Sequence, residues 1–357
     1  MIKYTFAILA LIALACCSEI KDQIMDSFMD KPTKDAFKVY RLIYNKEYEL
    51  NSEEGVRRYR IFKTNLKEIK ETNAKDLPYK FGVNEFTDLS DEEFADKYLL
   101  KEDFEKSLDK MVKNLRDEGY FDRNADEDDN KIASVMAFET SVDWTSNYGP
   151  ARNQGGCGSC WAFSSLGMVE GRIAQKTGTI TPYLSAQELV DCAPSCGCRG
   201  GSWSSALNYI IKNGIINDSE YPYTATKAPT CNASTINTPR TYIKSTKFDY
   251  CGGTNLNKCN EDSVFTRLLD GPLAVSIDGC RIKSMKSGIF TGACTGGCPH
   301  AVVLVGAGRD STTGLEYWTI RNSWGANWGN NGIINVARNV TNSNNCFITQ
   351  NAYSITP

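Results

Sequence analysis

Two cysteines lie three positions apart in the segment QGGCGSCWAFSS, which runs from Gln154 to Ser165. Cys157 and Cys160 could form a redox pair, half of a zinc site or a disulfide, or one of them could be a reactive thiol. Cys160 opens an apolar run with helical spacing. A helix N-terminus stabilises a thiolate through its partial positive charge. This placement favours Cys160 as a nucleophile.

The chain contains a single histidine, His300. Metal sites built from several histidines are therefore excluded, and any proton transfer by histidine must use this residue. A thiol nucleophile needs such a base, and the base needs a third group that fixes its tautomer and orientation. Asn322 follows the predicted strand LEYWTIR and could supply that group. The side chain of Gln154 and the backbone N–H of Cys160 could hold an oxyanion. The alternative is a histidine of the core.

The elements that position these residues follow from periodicity. After Cys160, a helix is predicted with Leu166, Val169 and Ile173 on one face. Four later segments, PLAVSI, HAVVLVGAG, LEYWTIR and GIINVAR, are rich in β-branched residues and separated by Gly, Asn or Pro. That composition is typical of strands. We therefore predict a unit in which helices precede a sheet.

Residues 20–133 contain no cysteine and are highly charged. Their apolar residues recur at helical spacing, including Val56, Tyr59 and Phe62 in one segment. Ser90 and Glu93 have the spacing of a capping box, which predicts another helix start. The acidic stretch 117–130 is poor in apolar residues and is typical of an exposed linker.

The 357 residues carry a net charge of −3, which indicates neither nucleic acid nor a membrane surface as a partner. The charge is uneven along the chain. Residues 134–357 contain 17 basic and 14 acidic residues, a balance of +3, so residues 1–133 carry −6. Opposite signs favour docking of the two parts on each other.

The first 17 residues are typical of a secretory signal peptide, because a lysine precedes an apolar run too short to span a bilayer. A buried N-terminal helix is the alternative. The other 12 of the 14 cysteines lie between Cys157 and Cys346, and most should be paired in an oxidising compartment. We expect the secretory pathway, with a lysosomal or food-vacuole lumen or secretion as destination, and no membrane contact after signal cleavage.

Three segments, QGGCGSCWAFSS, PHAVVLVGAG and RNSWGANWGNNG, resemble the catalytic segments of papain-like cysteine proteases. The N-terminal part resembles the propeptides of cathepsin L-type zymogens. Its interrupted E-R-F-N-I-N pattern comprises Glu54, Arg58, Phe62, Asn65, Ile69 and Asn73, and its G-x-N-x-F-x-D motif comprises Gly82, Asn84, Phe86 and Asp88.

This resemblance implies an α+β fold with a two-lobed catalytic unit, a helical left lobe and a β-barrel-like right lobe, preceded by a helical propeptide. The implied domains are a signal peptide at 1–17, an inhibitory propeptide at 18–133 and a catalytic domain at 134–357. Cys160 would be the nucleophile, His300 its base, Asn322 the orienting group and Gln154 the oxyanion donor. Trp324 would shield the bond between His300 and Asn322 from water.

The resemblance also implies three disulfides: Cys157–Cys198, Cys192–Cys231 and Cys294–Cys346. Five cysteines then remain, at 196, 251, 259, 280 and 298. Cys251–Cys259 could close a local loop. The odd number implies at least one further thiol or an intermolecular bond.

By the same resemblance, one set of residues would bind substrate: Gly201, Ser202, Trp203, Ser276, Cys298, Ala301, Trp328 and Asn351. Trp203, Ser276, Cys298 and Asn351 would line the pocket for the second residue before the cut, and none of them is charged, so an apolar side chain is expected there. Two departures stand out. Pro299 occupies a position where Asp or Asn is usual, and Cys298 replaces an apolar pocket residue.

We therefore expect a monomeric cysteine endopeptidase, made as a zymogen that acid opens, with no cofactor and no metal. Its partners would be protein and peptide substrates, its own propeptide as an intramolecular inhibitor, and cystatin-like inhibitors. Exopeptidase action is disfavoured, because there is no second histidine for an occluding loop. The alternatives are a catalytically inactive papain-like binding protein and an inhibitor protein. The redox interpretation leaves His300 and Asn322 unexplained, and an oxidising compartment favours disulfides over a zinc site.

Overall fold

The computed structural model describes residues 18–100, 141–243, 248–252, 259–338 and 344–355. Below, 18–100 is called the N-terminal segment and 141–355 the C-terminal unit. The predicted signal peptide, the predicted domain boundary at 133/134 and the acidic linker lie outside the described residues. None of the helices in the described ranges has the length and apolar character needed to cross a bilayer.

The N-terminal segment is helical, as its periodicity predicted. Its elements are α1 (Ser18–Phe28), α2 (Thr33–Ile43), α3 (Glu53–Asn73), β1 (Tyr79–Phe81) and α4 (Asp91–Tyr98). Aromatic side chains hold α2 against α3, with the rings of Tyr40 and Phe62 4.8 Å apart. Both hydrogen bonds of the capping box predicted for Ser90 and Glu93 are present at the start of α4. Val56, by contrast, is exposed and outside the core.

The helices of the C-terminal unit are α5 (Cys160–Thr177), α6 (Ala186–Cys192), α7 (Trp203–Asn213), α8 (Glu261–Leu269) and α9 (Gly279–Ile282). Short 3-10 turns occupy Thr145–Asn147, Gly197–Arg199, Ala233–Thr235 and Asn344–Phe347. Helix α5 is buried on nearly every side and ends at Gly178, whose φ of +69° suits a left-handed helix cap. The predicted helix therefore begins at Cys160, inside the core.

The strands of the C-terminal unit are β2 (Val142–Asp143), β3 (Phe248–Gly252), β4 (Leu273–Asp278), β5 (Met285–Phe290), β6 (Pro299–Arg309), β7 (Glu316–Arg321), β8 (Ile333–Ala337) and β9 (Asn351–Ile355). The order in the sheet is β1-β5-β8-β7-β6-β4-β9-β3, with β2 also paired to β6. Only β5 and β8 are parallel among the described pairs. The predicted barrel-like lobe is thus, within the described strands, an open sheet whose end strands do not pair.

Two apolar cores flank the junction between helices and sheet. One contains residues of α5 and α7 such as Trp161 and Leu207. The other lies between the sheet and α8 and contains Leu304 and Trp318. Cys160 belongs to the first core, whereas Trp324, just after β7, belongs to the second. The predicted site residues therefore meet where the two lobes join.

The N-terminal segment extends the sheet of the C-terminal unit, because β1 pairs antiparallel with β5 with Tyr79 opposite Gly288. Gly288 has a φ of +84°, and a Cβ there would lie 2.2 Å from the carbonyl oxygen of Pro78. Further along, Phe94 packs edge-on against Trp324, with ring centres 5.1 Å apart. These contacts place the end of the N-terminal segment, near residue 100, over the junction of the two lobes.

Candidate active site

His300 and Asn322 form the hydrogen-bonded pair that the sequence predicted. His300 is the second residue of β6, and its Nε2 lies 2.8 Å from Oδ1 of Asn322, which follows β7. Oδ1 also accepts the backbone N–H of Ser323 at 2.7 Å. Since Oδ1 is an acceptor, Nε2 carries the proton, and Nδ1 keeps its lone pair free of any partner. The imidazole is therefore held in the tautomer that can take a proton at Nδ1.

Cys160 is the first residue of α5 and lies close to the residue that follows His300. Its sulfur is within hydrogen-bonding reach of the backbone N–H of Ala301, the residue after His300. Trp324 covers one face of the imidazole, stacked at 4.5 Å between ring centres and 21° between planes. The predicted nucleophile and the predicted base are thus both enclosed.

Enclosure sets the charge state of this pair. Burial raises the pKa of the Cys160 thiol to about 12 and lowers the pKa of His300 to about 4. Both side chains are fully buried. In this closed form the thiol and the imidazole are therefore both neutral at pH 7.

Gln154 is oriented by three contacts. Its Oε1 accepts a hydrogen bond from Oγ of Ser323 at 2.7 Å, and its backbone N–H donates to the Ser323 carbonyl at 2.8 Å. The hydroxyl of Tyr223 donates to the Gln154 carbonyl at 2.8 Å. Ser323 thereby aims Nε2 of Gln154 at the cleft. Sequence analysis missed Ser323, although it lies in the segment RNSWGANWGNNG, and it missed Tyr223, which ends the segment YPY.

The end of the N-terminal segment occupies the cleft. The Tyr98 carbonyl accepts a hydrogen bond from Nε2 of Gln154 at 2.8 Å, and the N–H of Leu100 donates to the Pro299 carbonyl at 3.1 Å. The Leu99 side chain packs beside Gly279 and the Cβ of His300. Residues 98–100 therefore cover the thiol.

Pro299 fits its position without strain. It is the first residue of β6, a place where a strand tolerates a missing N–H. Its carbonyl remains available and accepts the N–H of Leu100. The departure noted in the sequence removes an acidic or amide side chain here but keeps the backbone acceptor.

The predicted substrate residues fall into two groups. Ser276 is opposite Ala301 across β4 and β6, and Cys298 precedes β6 in a disulfide with Cys280. These residues surround the start of β6, next to His300.

The second group lies around the start of α7. A Cβ at Gly201 would lie 2.4 Å from the Trp161 ring, so that ring requires glycine here. Ser202 caps α7 by accepting the Ser205 N–H at 3.1 Å. Trp203 is fully buried, and its Nε1 donates to Oγ of Ser164 at 2.7 Å.

Asn351 and Trp328 complete the predicted set. Oδ1 of Asn351 accepts the Tyr250 hydroxyl at 2.9 Å. Nε1 of Trp328 donates to the Lys283 carbonyl at 3.0 Å, and the ring meets Trp324 edge-on. Trp328 therefore lies next to Trp324, the ring that stacks on His300.

Five disulfides are present in the described residues. Cys157–Cys198, Cys192–Cys231 and Cys294–Cys346 are the pairs that the resemblance implied, and Cys251–Cys259 and Cys280–Cys298 are the other two. The free thiols among these residues are Cys160, which is buried, and Cys196, which is exposed. Because Cys157 is bonded to Cys198, it cannot cycle with Cys160 as a redox pair.

The first propeptide-like motif clamps the N-terminal segment together. Arg58 donates to the Asp88 carbonyl at 2.9 Å and to carboxylate oxygens of Glu93 at 3.0 Å and Glu54 at 2.6 Å. Asn65 donates to the Thr87 and Leu89 carbonyls, and Asn73 exchanges hydrogen bonds with Phe81. Phe62 and Ile69 are buried in its core.

The second motif links this clamp to the C-terminal unit. The buried Asp88 carboxylate accepts from the Tyr40 and Tyr48 hydroxyls at 2.8 and 2.9 Å and pairs with Lys46 at 2.9 Å. Asn84 donates to the Lys283 carbonyl at 2.8 Å. Two further contacts cross to the C-terminal unit: Gly82 donates its N–H to the Ser284 carbonyl, and the Phe86 ring packs edge-on against Trp324.

Comparisons with known proteins identify this arrangement. Residues 138–356 match the papain family of cysteine proteases, and residues 37–94 match the cathepsin propeptide inhibitor domain. This chain belongs to the papain family. The family and the fold expected from the motifs are confirmed.

Papain-family relatives cover most of the chain. Papaya proteinase 4 of Carica papaya is 37% identical over 323 residues, 89% of this chain and 85% of the relative. Caricain, from the same plant, is 38% identical over 298 residues, 82% of this chain and 78% of caricain. The protein is therefore a papain-like cysteine endopeptidase.

The similar solved structures include inhibitor-bearing precursors. A recombinant stem bromelain precursor superposes with a TM-score of 0.76 at 32% identity, covering 91% of this chain and 99% of the precursor. Digestive procathepsin L 3 from the larval midgut of Tenebrio molitor gives a TM-score of 0.72 at 30% identity, covering 92% and 100%. The N-terminal segment is accordingly an inhibitory propeptide, and the structure is that of a zymogen.

Proposed function

We propose that Cys160, His300 and Asn322 hydrolyse peptide bonds of protein and peptide substrates through a thioester. The thiol gives its proton to Nδ1 of His300, and the thiolate attacks the scissile carbonyl carbon. Nε2 of Gln154 and the backbone N–H of Cys160 hold the oxyanion. The C–N bond then breaks, and the leaving amine takes the proton from His300. Water, deprotonated by His300, hydrolyses the thioester and releases the thiol.

The hydrogen bond between His300 and Asn322 carries this proposal. At 2.8 Å from Nε2 to Oδ1, it leaves Nδ1 free to accept a proton, and Cys160, the buried free thiol among the described residues, is in contact with Ala301, the residue after His300. The alternative, a catalytically inactive binding protein, would not require a free thiol beside an oriented base. Labelling with a thiol-directed epoxide distinguishes the active protease from the inactive binding protein. We expect labelling of Cys160 in the activated enzyme and none in Cys160→Ser. An unlabelled Cys160 in correctly folded, activated protein would favour the inactive alternative.

Substrates should carry an apolar side chain at the second residue before the cut. The propeptide offers a model for this, since Leu100 is only 4% exposed and lies in the same apolar core as Trp203 and Ala301. Its side chain is beside Gly200. A charged side chain there would lose hydration without gaining a partner. A cleavage profile dominated by arginine or glutamate at this position would contradict the proposal.

The enzyme would act as a monomer in the secretory pathway, in a lysosomal or food-vacuole lumen or after secretion. Five disulfides in the described residues support an oxidising compartment. Cystatin-like proteins would inhibit it by covering the cleft that residues 98–100 now fill. Cys196, which is free and exposed, accounts for the odd cysteine number.

A further inference from the structure

Lys283 of the catalytic domain is held by the propeptide. Its side chain is 6% exposed, and its Nζ lies 2.5 Å from Oδ1 of Asp91 and 3.4 Å from the Leu89 carbonyl. The ammonium also lies 5.7 Å from the centre of the Phe94 ring. All three partners belong to the propeptide. When the propeptide leaves, this cation loses every polar contact that its Nζ makes with the described residues.

Lys283 is part of a basic stretch, CRIKSMK, that faces acidic residues of the propeptide. Nearby, Lys286 pairs with Asp26 at 3.1 Å and with Asp22 at 3.6 Å. The opposite net charges of the two halves of the chain thus meet at this surface. Removal of the propeptide uncovers positive charge beside the cleft.

Lys283 is connected to His300 through the indole rings of Trp328 and Trp324. Its carbonyl accepts the Nε1–H of Trp328, whose ring meets Trp324 with centres 5.0 Å apart, and Trp324 stacks on His300. Along the propeptide, Asp91 is at Lys283, Tyr98 is at Gln154 and Leu100 is beside Gly200, where the acyl part of a substrate is proposed to bind. Lys283 therefore lies on the side of the leaving amine.

The length of helix α4 gives the approximate distance between Lys283 and Gln154. It runs from Asp91, at Lys283, to Tyr98, whose carbonyl is at Gln154. Eight helical residues at a rise of 1.5 Å span about 11 Å. An extended substrate at about 3.3 Å per residue covers the same length in about three residues.

We propose that Lys283, once released from Asp91, binds a substrate carboxylate about three residues after the cut. This rests on the proposed function of the cleft. Asp91 is the intramolecular stand-in, because it presents an aspartate oxygen to the same ammonium from a segment that fills the cleft. The carboxylate could belong to an acidic side chain or to the C-terminus of a short substrate. Both sources offer the same chemistry, and peptides distinguish them.

The test compares kcat/KM for peptides that are identical up to the second residue after the cut. One pair ends in Glu-amide or Gln-amide at the third residue. The other ends in Ala with a free carboxylate or Ala-amide. We expect the activated wild-type enzyme to prefer a carboxylate about three- to fivefold at low salt, the range of a partly exposed ion pair. The preference should fall as salt increases. The peptide pair that shows the preference tells whether the bound carboxylate is an acidic side chain or the C-terminus.

Variants of Lys283 test whether this residue causes the preference for a carboxylate. Lys283→Gln should abolish it, whereas Lys283→Arg should retain it. Lys286→Gln is the matched control, because it removes a neighbouring cation that also pairs with the propeptide, and it should retain the preference. Equal kcat/KM for acidic and neutral peptides in the wild-type enzyme would overturn the proposal. A preference for acidic peptides that persists in Lys283→Gln would also overturn it. No cleavage of any peptide would instead refute the proposed catalytic function.

Discussion

The backbone carbonyl of Tyr98 lies 2.8 Å from Nε2 of Gln154. This amide is the proposed oxyanion donor, so the propeptide both covers the thiol and occupies the proposed oxyanion site. Leu100 likewise uses the Pro299 carbonyl, a backbone acceptor beside His300. The zymogen is therefore inhibited by a segment that makes substrate-like polar contacts.

Ser323→Ala should reduce kcat about tenfold and leave KM nearly unchanged. The Ser323 hydroxyl donates to Oε1 of Gln154, and without it the amide can turn its oxygen toward the cleft. Removing an oxyanion donor altogether reduces kcat by about 10²–10³, so Gln154→Ala should be worse than Ser323→Ala. Steady-state kinetics on one apolar peptide compare the two. A rise in KM with unchanged kcat would assign Ser323 to substrate binding instead.

The Cys160 thiol should react at least 100-fold faster with iodoacetamide in the activated enzyme than in the zymogen. Burial under the propeptide raises its pKa to about 12, and thiolate is the reacting species. The experiment uses Cys196→Ser, because Cys196 is exposed and would react as well. Mass spectrometry follows alkylation at pH 7. Similar rates before and after removal of the propeptide would show that the propeptide does not protect the thiol.

Glu93 should make the propeptide clamp sensitive to acid. Burial raises its pKa, but the hydrogen bond from Arg57, the Ser90 N–H and the charge of Arg58 outweigh burial and lower it overall. A carboxyl with a lowered pKa contributes stability above its ordinary pKa and loses it as pH falls through the folded value. With an ordinary value of about 4.3, the clamp should weaken below about pH 4.

The measurement is processing of the Cys160→Ser zymogen by a trace of active enzyme over a pH series. Cleavage should rise steeply below about pH 4, once corrected for the pH dependence of the active enzyme. Glu93→Gln should be processed rapidly already at pH 6. The control is Glu71→Gln, which removes an exposed pair with Lys67 within α3. Superimposable profiles for Glu93→Gln and its parent would rule out this trigger.

Glu85 should act in the opposite direction. Burial raises its pKa, although Lys46 and a hydrogen bond from Asn153 lower it in part. The charged form therefore destabilises the closed zymogen at neutral pH. Glu85→Gln should slow processing at pH 6 and have little effect near pH 3, where the carboxyl is protonated anyway. Faster processing of Glu85→Gln at pH 6 would mean that its charge stabilises docking.

The elements built on local patterns were predictable from sequence. The capping box at Ser90 needs only four consecutive residues, and the start of α5 at Cys160 follows from the glycines before it and the apolar run after it. His300 and Asn322 were found because the chain has one histidine and because their motifs resemble a family. These signals are either local or unique in the chain.

Contacts between distant segments were not predictable. Ser323 orients Gln154 across 169 positions, and Lys283 meets Asp91 across 192. The pairing of Cys280 with Cys298 depends on β4 and β6 bringing them together, which spacing does not reveal. Val56 shares the apolar spacing of α3 but faces solvent, because the core of the propeptide covers only part of that helix.

The most direct test of the proposed mechanism is kcat/KM of His300→Ala, activated in trans by wild-type enzyme that is then removed. His300 is the only histidine, so no other imidazole can take its role. We predict a loss of at least about 10³-fold on an apolar peptide, as for bases that act together with their nucleophile. Asn322→Ala, which only misorients the ring, should lose less. Activity of His300→Ala near that of the wild type would contradict the mechanism.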